Sequence, residues 1–186
     1  MTAGDTPAGV DNPDELFDRV NERDQVIGTI RRGDAHRNPR LIHRSVQVFV
    51  LDNAGRLLLQ LRSARKDLFP GYYCASASGH VISGDTYDET ARRELEEELG
   101  ASAPLRPLGV TLVRSEQETE MTALYLVWHD GPFTFHPTET DGGRWFTLEE
   151  LRAARGAILM TPALIAGLDA FERLLAEGGI EPPPSA

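Results

Sequence analysis

The chain has a single cysteine, Cys74, among 186 residues. No internal disulfide can staple it, and a reducing, cytoplasmic location is expected. No apolar run approaches the roughly 20 residues that cross a bilayer. The first residues also lack the basic-then-apolar order of a secretion signal. Basic residues are scarce: 19 Lys and Arg stand against 29 Asp and Glu, a formal charge of −10. That balance argues against a nucleic-acid polymer or an anionic membrane as the main partner. It does not argue against a small anion gripped by a few local cations. With 40% hydrophobic and 26% charged residues, the composition is that of an ordinary globular domain with a sizeable core.

Small polar residues, Gly and Pro fill 1–13 and 178–186, which read as disordered tails around one domain over 14–177. LFDRV and VIGTI flank NERDQ and predict a hairpin. Ser45–Leu51 and Arg56–Leu61 flank the turn Asp52-Asn53-Ala54-Gly55 and predict another. Strands are expected at Leu108–Val113, at Met121–Trp128 (buried on both faces) and at Arg144-Trp145-Phe146. Thr147 and Glu150 predict a capped helix near Leu148–Arg155. Thr161-Pro162 opens a last helix running to about Ala176.

The stretch from Gly79 to Ala101 carries the most chemistry. Thr86 and Glu89 form a T-x-x-E capping box, and Tyr87, Ala91, Leu95 and Leu99 make an apolar stripe that pins a helix to a core. Glu94, Glu97 and Glu98 fall at i, i+3 and i+4 along one border of that stripe, within about a third of the helix circumference. Like charges so close repel unless something positive sits among them. Mg²⁺ suits the role, since it takes one or two carboxylates together with substrate phosphates. Arg93 can reach Glu89 or Glu97, or orient Asp85 from the preceding loop. A solvated acidic face is the alternative. Further along, Glu118 and Glu120 alternate so that both carboxylates share one face of a strand. His36, His43 and His80 are scattered, and nothing in their spacing assembles them. Arg62 and Lys66, four apart, suit phosphate contacts or a surface charge pair with Asp67.

The 79–101 segment resembles the Nudix box, G-x5-E-x7-R-E-U-x-E-E-x-G-U with U apolar. Gly79, Arg93, Glu94, Leu95, Glu97, Glu98, Gly100 and Ala101 are in register, and Asp85 replaces the first Glu. The resemblance implies an α/β fold, an alpha/beta/alpha sandwich with a mixed sheet. It also implies a metal-dependent hydrolase of a diphosphate linkage, in a nucleoside diphosphate derivative or similar small molecule, using Mg²⁺ or Mn²⁺. Glu94, Glu97 and Glu98 would be metal ligands. The general base would be Glu139 of the loop PTETDGGRW, or else Glu97 or Glu98, and Arg62, Lys66 and Arg93 would bind substrate.

A narrower resemblance, covering nearly the whole ordered chain, is to type I isopentenyl-diphosphate isomerase. It implies a second metal site at His36, His43, His80, Glu118 and Glu120, and diphosphate contacts from Arg62 and Lys66. The isomerase's reactive Cys is replaced by Ser78. Cys74 would lie about 13 Å away along a continuous strand, too far to substitute. Near Thr161-Pro162, Ala163 and Leu168 stand where the isomerase has a shielding Trp. The box acids that isomerases erode are intact, which favours a hydrolase on an isomerase-like frame. An isomerase-like enzyme and a non-catalytic nucleotide-sensing module are the competing functions. Substrate choice is expected to reside in loops 64–74, 114–120 and 131–143. Phe69, Tyr72, Tyr73 and Trp145 suit either stacking on a base or core packing, and the N-terminal hairpin suits pairing across a homodimer.

Overall fold

A computed structural model describes residues 12–66 and 68–180. The proposed tails therefore fall largely outside the described residues. Their inner ends do not read as tail: Gly33 N–H donates to the Pro13 carbonyl, and Gly179 N–H to that of Leu174.

One mixed sheet organises the chain, with nine strands among the described residues. The N-terminal hairpin is as expected, β1 (Leu16–Val20) with β2 (Val26–Arg31), followed by the short helix α1 (Arg32–Ala35). Strand β2 is the outer edge, with Val26 and Ile27 exposed. The centre is β3 (Ile42–Leu51), paired in parallel along its whole length with β8 (Thr119–Trp128). Strand β7 (Arg106–Arg114) lies antiparallel outside β8. The other edge of β3 is shared. It meets β1 at Ile42 and His43, β6 (Ala77–His80) from Ser45 to Val48, and β4 (Leu57–Arg62) only at Val50 and Leu51.

The predicted second hairpin thus opens after two residue pairs. Strand β4 leaves β3 to join β5 (Tyr73–Cys74) and β9 (Thr140–Phe146). Ser76 stabilises the split. Its buried hydroxyl accepts from Val50 N–H at 2.8 Å and donates to the Leu58 carbonyl at 2.5 Å, which satisfies ladder groups that parting strands would orphan.

Alternation along the strands divides the core into two layers. Val46, Val48 and Val50 of β3, with Ala123, Tyr125 and Val127 of β8, face α2 (Tyr87–Leu99) and its Ala91, Leu95 and Leu99. Phe49, Leu51, Leu124 and Leu126 face α3 (Leu148–Ala154) and α4 (Pro162–Ala176) through Leu151, Leu164, Leu168 and Phe171. Each such Val, Leu or Phe side chain, fully removed from water, contributes about 1.5–3 kcal/mol.

All three long-range helices start as their sequences dictate: Thr86 and Thr147 with full capping boxes, Thr161 with Pro162 at the first turn. Helix α2 ends at Gly100, whose φ of 62° suits a residue without a Cβ. Replacing Thr86 by Ala should cost about 1 kcal/mol, seen as a lower urea midpoint at unchanged m-value.

Candidate functional site

The split between β3 and β4 exposes the outer edge of β6, and the acids of α2 reach over it. Ser78 N–H donates to Glu98 Oε2 at 3.1 Å, and Gln60 Nε2 donates to the same oxygen at 2.9 Å. A Cβ at Gly79 would sit 2.3 Å from the Glu94 carboxylate, so any larger residue there would push that carboxylate from its place. Glu94 and Glu98 are buried, whereas Glu97 keeps 52% of its side chain exposed. Arg93 pairs with Glu94 at 2.8 Å, Glu97 at 3.6 Å and Asp85 at 4.0 Å. Glu89 is committed to its cap on Thr86. Burial, then the neighbouring Glu98, pushes Glu94 well above the usual carboxylate range. Burial likewise raises Glu98 to about 7, even against its hydrogen bond from Ser78 N–H. These are hard oxygen donors with more negative charge than Arg93 neutralises. That donor set fits Mg²⁺ completed by substrate oxygens, although the three acids do not converge as tightly as the cluster described next.

That second cluster is assembled from four separate segments. His36 caps α1, His43 lies on β3, His80 ends β6, and Glu118 precedes β8. Their candidate ligand atoms all lie within 4.8 Å of one another. Glu118 Oε2 is 3.4 Å from His36 Nε2, 3.7 Å from His43 Nε2 and 3.6 Å from His80 Nε2. Glu120 Oε1 is also 3.6 Å from His80 Nε2. The separations are too long for good hydrogen bonds, yet close to the roughly 3.4 Å between tetrahedral ligands of an ion held at about 2.1 Å. His43 Nε2 and Glu118 Oε2 are buried without a hydrogen bond, as donors aimed at a shared ion would be. The cluster therefore fits a transition-type cation. Burial, then the charge of His80, lowers His43 to about 3, and burial, then Arg32, holds His80 well below its ordinary value. Burial, then Glu118, raises Glu120 to about 8. Phe17 of β1 stacks against His43 and His80, with ring centroids at 5.2 and 4.9 Å.

A cavity of about 280 Å³ joins the two clusters, with Glu94 and Glu98 on one side and His36 and Glu118 on the other. Arg62 and Lys66 line it too, and neither is a plain surface charge. Arg62 donates through Nε and Nη2 to the Leu68 carbonyl. Lys66 Nζ is 2.8 Å from Glu139 Oε2, with its side chain only 11% exposed. The alternative partner, Asp67, lies outside the described residues. Glu139 is delivered by a loop docked on the end of α2, where Thr134 N–H and His136 N–H donate to the Leu99 and Glu98 carbonyls.

The continuous strand expected from Cys74 to Ser78 is overturned. β5 and β6 are not one continuous strand: the chain breaks between them, where Ser76 bridges β3 and β4, and Cys74 and Ser78 line the same cavity. Burial raises the Cys74 thiol to about 11. Sequence reasoning also missed three residues. Gln60 holds Glu98. Arg32 Nη1 lies 3.3 Å from His80 Nδ1. His136 lines the cavity three residues before Glu139. Only His136 carried a signal, its place on the same loop.

Comparison with known proteins agrees with this architecture. The model of the NUDIX domain matches residues 41–164. An uncharacterized Nudix hydrolase of Yersinia pestis is 39% identical over 140 residues, covering 75% of this chain and 76% of the relative. A Nudix hydrolase of Deinococcus radiodurans is 38% identical over 144 residues, 75% of this chain and 83% of the relative. A crystal structure of a Deinococcus radiodurans protein superposes with a TM-score of 0.74 at 32% identity, covering 84% of this chain and 99% of that one. The chain belongs to the Nudix hydrolase family. No helix among the described residues is long and apolar enough to cross a membrane.

The raised carboxylates give a pH signature. A group whose folded pKa exceeds its free value of 4.5 stabilises fully below 4.5 and loses that contribution as pH rises through about 7 for Glu98 and about 8 for Glu120. The lowered histidines act in the opposite sense, but only below their free value of 6.5. Between pH 6.5 and 8, chelated protein should therefore lose on the order of 1–2 kcal/mol. The rise in Tm produced by Mg²⁺ should grow over the same window, because cations bind the deprotonated acids. Thermal melts with and without chelator check both.

Proposed function

We propose that the protein hydrolyses a diphosphate linkage in a nucleoside diphosphate derivative or similar small molecule, with Mg²⁺ or Mn²⁺ held by Glu94, Glu97 and Glu98. The observation that carries this reading is the burial of Glu94 and Glu98 beside a cavity that also presents Arg62, Lys66 and Arg93. Two desolvated acids on one helix are costly to keep without a positive partner, and acids and bases facing one cavity suit a diphosphate with its cation. His36, His43, His80, Glu118 and Glu120 would hold a second ion, as their separations support. A single buried thiol agrees with work in the reducing cytoplasm.

The bound cation supplies a Lewis acid that neutralises the diphosphate and acidifies water. Everything else falls to the chain's own side chains. Arg62, Lys66 and Arg93 draw in the phosphate oxygens and fix the attacked phosphorus. Water adds to that phosphorus, the bridging P–O bond breaks, and the proton of the water passes to a carboxylate. Glu139 is tied to Lys66 in the resting site, so a phosphate that claims Lys66 would release Glu139 to accept the proton. Glu98 and Glu97 are the other candidates for the same duty.

Glu97→Gln should lower kcat for Mg²⁺-dependent phosphate release by about 100-fold or more, with an unchanged circular-dichroism melt, since Glu97 is half exposed. Chelator should silence the wild type. Turnover that survives both treatments would remove the acids of α2 from the reaction. Running isopentenyl diphosphate beside nucleoside diphosphates, and reading isomerisation as well as phosphate release, separates the isomerase-like alternative.

A further inference from the structure

Phe69 is the only Phe, Tyr or Trp among the described residues that lines the cavity. Tyr73 and Trp145 pack against the two core clusters, and Tyr72 supports Phe69 from outside, with ring centroids 5.6 Å apart. The backbone of Phe69 is unusual. Its φ is +53°, a left-handed conformation that a bulky L-residue adopts at a cost of roughly 1–2 kcal/mol. It also precedes Pro70, which further narrows its options. A turn closed on itself holds it there: Arg62 donates to the Leu68 carbonyl, Gly71 N–H to that of Arg62, and Tyr72 N–H to that of Phe69. Strain of this kind, kept at a cavity wall, has a use when the side chain must be aimed.

The rest of the cavity limits what the ring can be aimed at. On the sheet face turned toward α4, the apolar core stops at Phe49 and Leu124, and polar groups take over. Gln47 faces Ser78 across β3 and β6, and Ser45 faces His80. The Ser45 and Thr122 hydroxyls meet at 2.9 Å, and Gln47 Nε2 donates to the Ala163 carbonyl. Gln47 lines the cavity and its Oε1 is buried without a hydrogen-bond partner, a need that an isoprenoid chain, having no donor, cannot meet. A flat heterocycle, with an apolar face and polar edges, matches an aromatic wall beside a polar floor.

Building on the diphosphatase reading, we propose that Phe69 is the specificity-determining residue of this site, and that it selects diphosphates whose organic part carries a planar ring, by stacking on that ring. The ring is pre-aimed, so selectivity appears as affinity.

The test uses calorimetry with Mg²⁺ and three methylene-bridged probes that cannot be hydrolysed: the analogue of adenosine diphosphate, an isopentenyl-bearing analogue, and bare methylenediphosphonate. Phe69→Ala should weaken the adenosine probe at least about tenfold while leaving methylenediphosphonate within about twofold, the range expected for loss of one aromatic stack. Phe69→Trp should restore the adenosine probe. If Phe69→Ala weakens all three probes alike, Phe69 merely shapes the loop, and the proposal is overturned. If the isopentenyl probe suffers as much as the adenosine one, the residue reads apolar surface rather than a flat ring, which also overturns it. Both results leave the diphosphatase reading standing. Failure of the wild type to bind any probe overturns the diphosphatase reading and this proposal together.

Discussion

Two carboxylates of one helix, Glu94 and Glu98, are pressed against the edge of a short strand, and the surrounding fold is arranged to allow it. Here the sheet offers those acids a free edge and a missing side chain. The free edge is that of β6, freed because β4 leaves β3 after Val50 and Leu51 have paired. The missing side chain is that of Gly79, over which the Glu94 carboxylate rests. Ser78 N–H, unused by the ladder on that side, becomes a donor to Glu98. The apolar stripe of Ala91, Leu95 and Leu99 then fixes the rotation of α2, so the acids can point only one way. Metal chemistry and core packing are properties of the same thirteen-residue helix.

What could be read in advance follows the reach of the interaction. The caps at Thr86, Thr147 and Thr161 and the amphipathic stripe of α2 are decided within four residues, and they stand as the sequence implies. Longer-range features were legible only in part. Nothing in the run from Cys74 to Ser78 announces that Ser76 will be taken up by two other strands, so the break between β5 and β6 was invisible. Lys66 has an acid beside it in sequence, while its partner at 2.8 Å, Glu139, arrives on a distant loop. The His and Glu cluster was reachable only through resemblance, because spacing says nothing about residues on different strands. The structure gathers it from four separate segments.

The segment before residue 41 lies outside the stretch matched by the NUDIX domain, yet it contributes to the site. Phe17 stacks on His43 and His80, Arg32 lies against His80, and His36 supplies one of the clustered nitrogens. The hairpin is held down by specific contacts. Ser83 Oγ donates to Asp18 at 2.6 Å, and both Arg44 and the Tyr87 hydroxyl donate to Asp24. Through Tyr87 the hairpin turn is fastened to the first residue of α2, so one bracket supports both clusters.

The parallel partnership of β3 and β8 has a kinetic corollary. Parallel neighbours cannot be joined by a tight turn, and here the intervening chain includes α2 and β7. Glu118 and Glu120 therefore meet the histidines only when that whole excursion has folded back, a distant closure of the sort that slows folding. The His–Glu cluster is consequently a readout of the finished topology. No excised peptide carries it, and a cation settling there would act as a latch on the completed sheet.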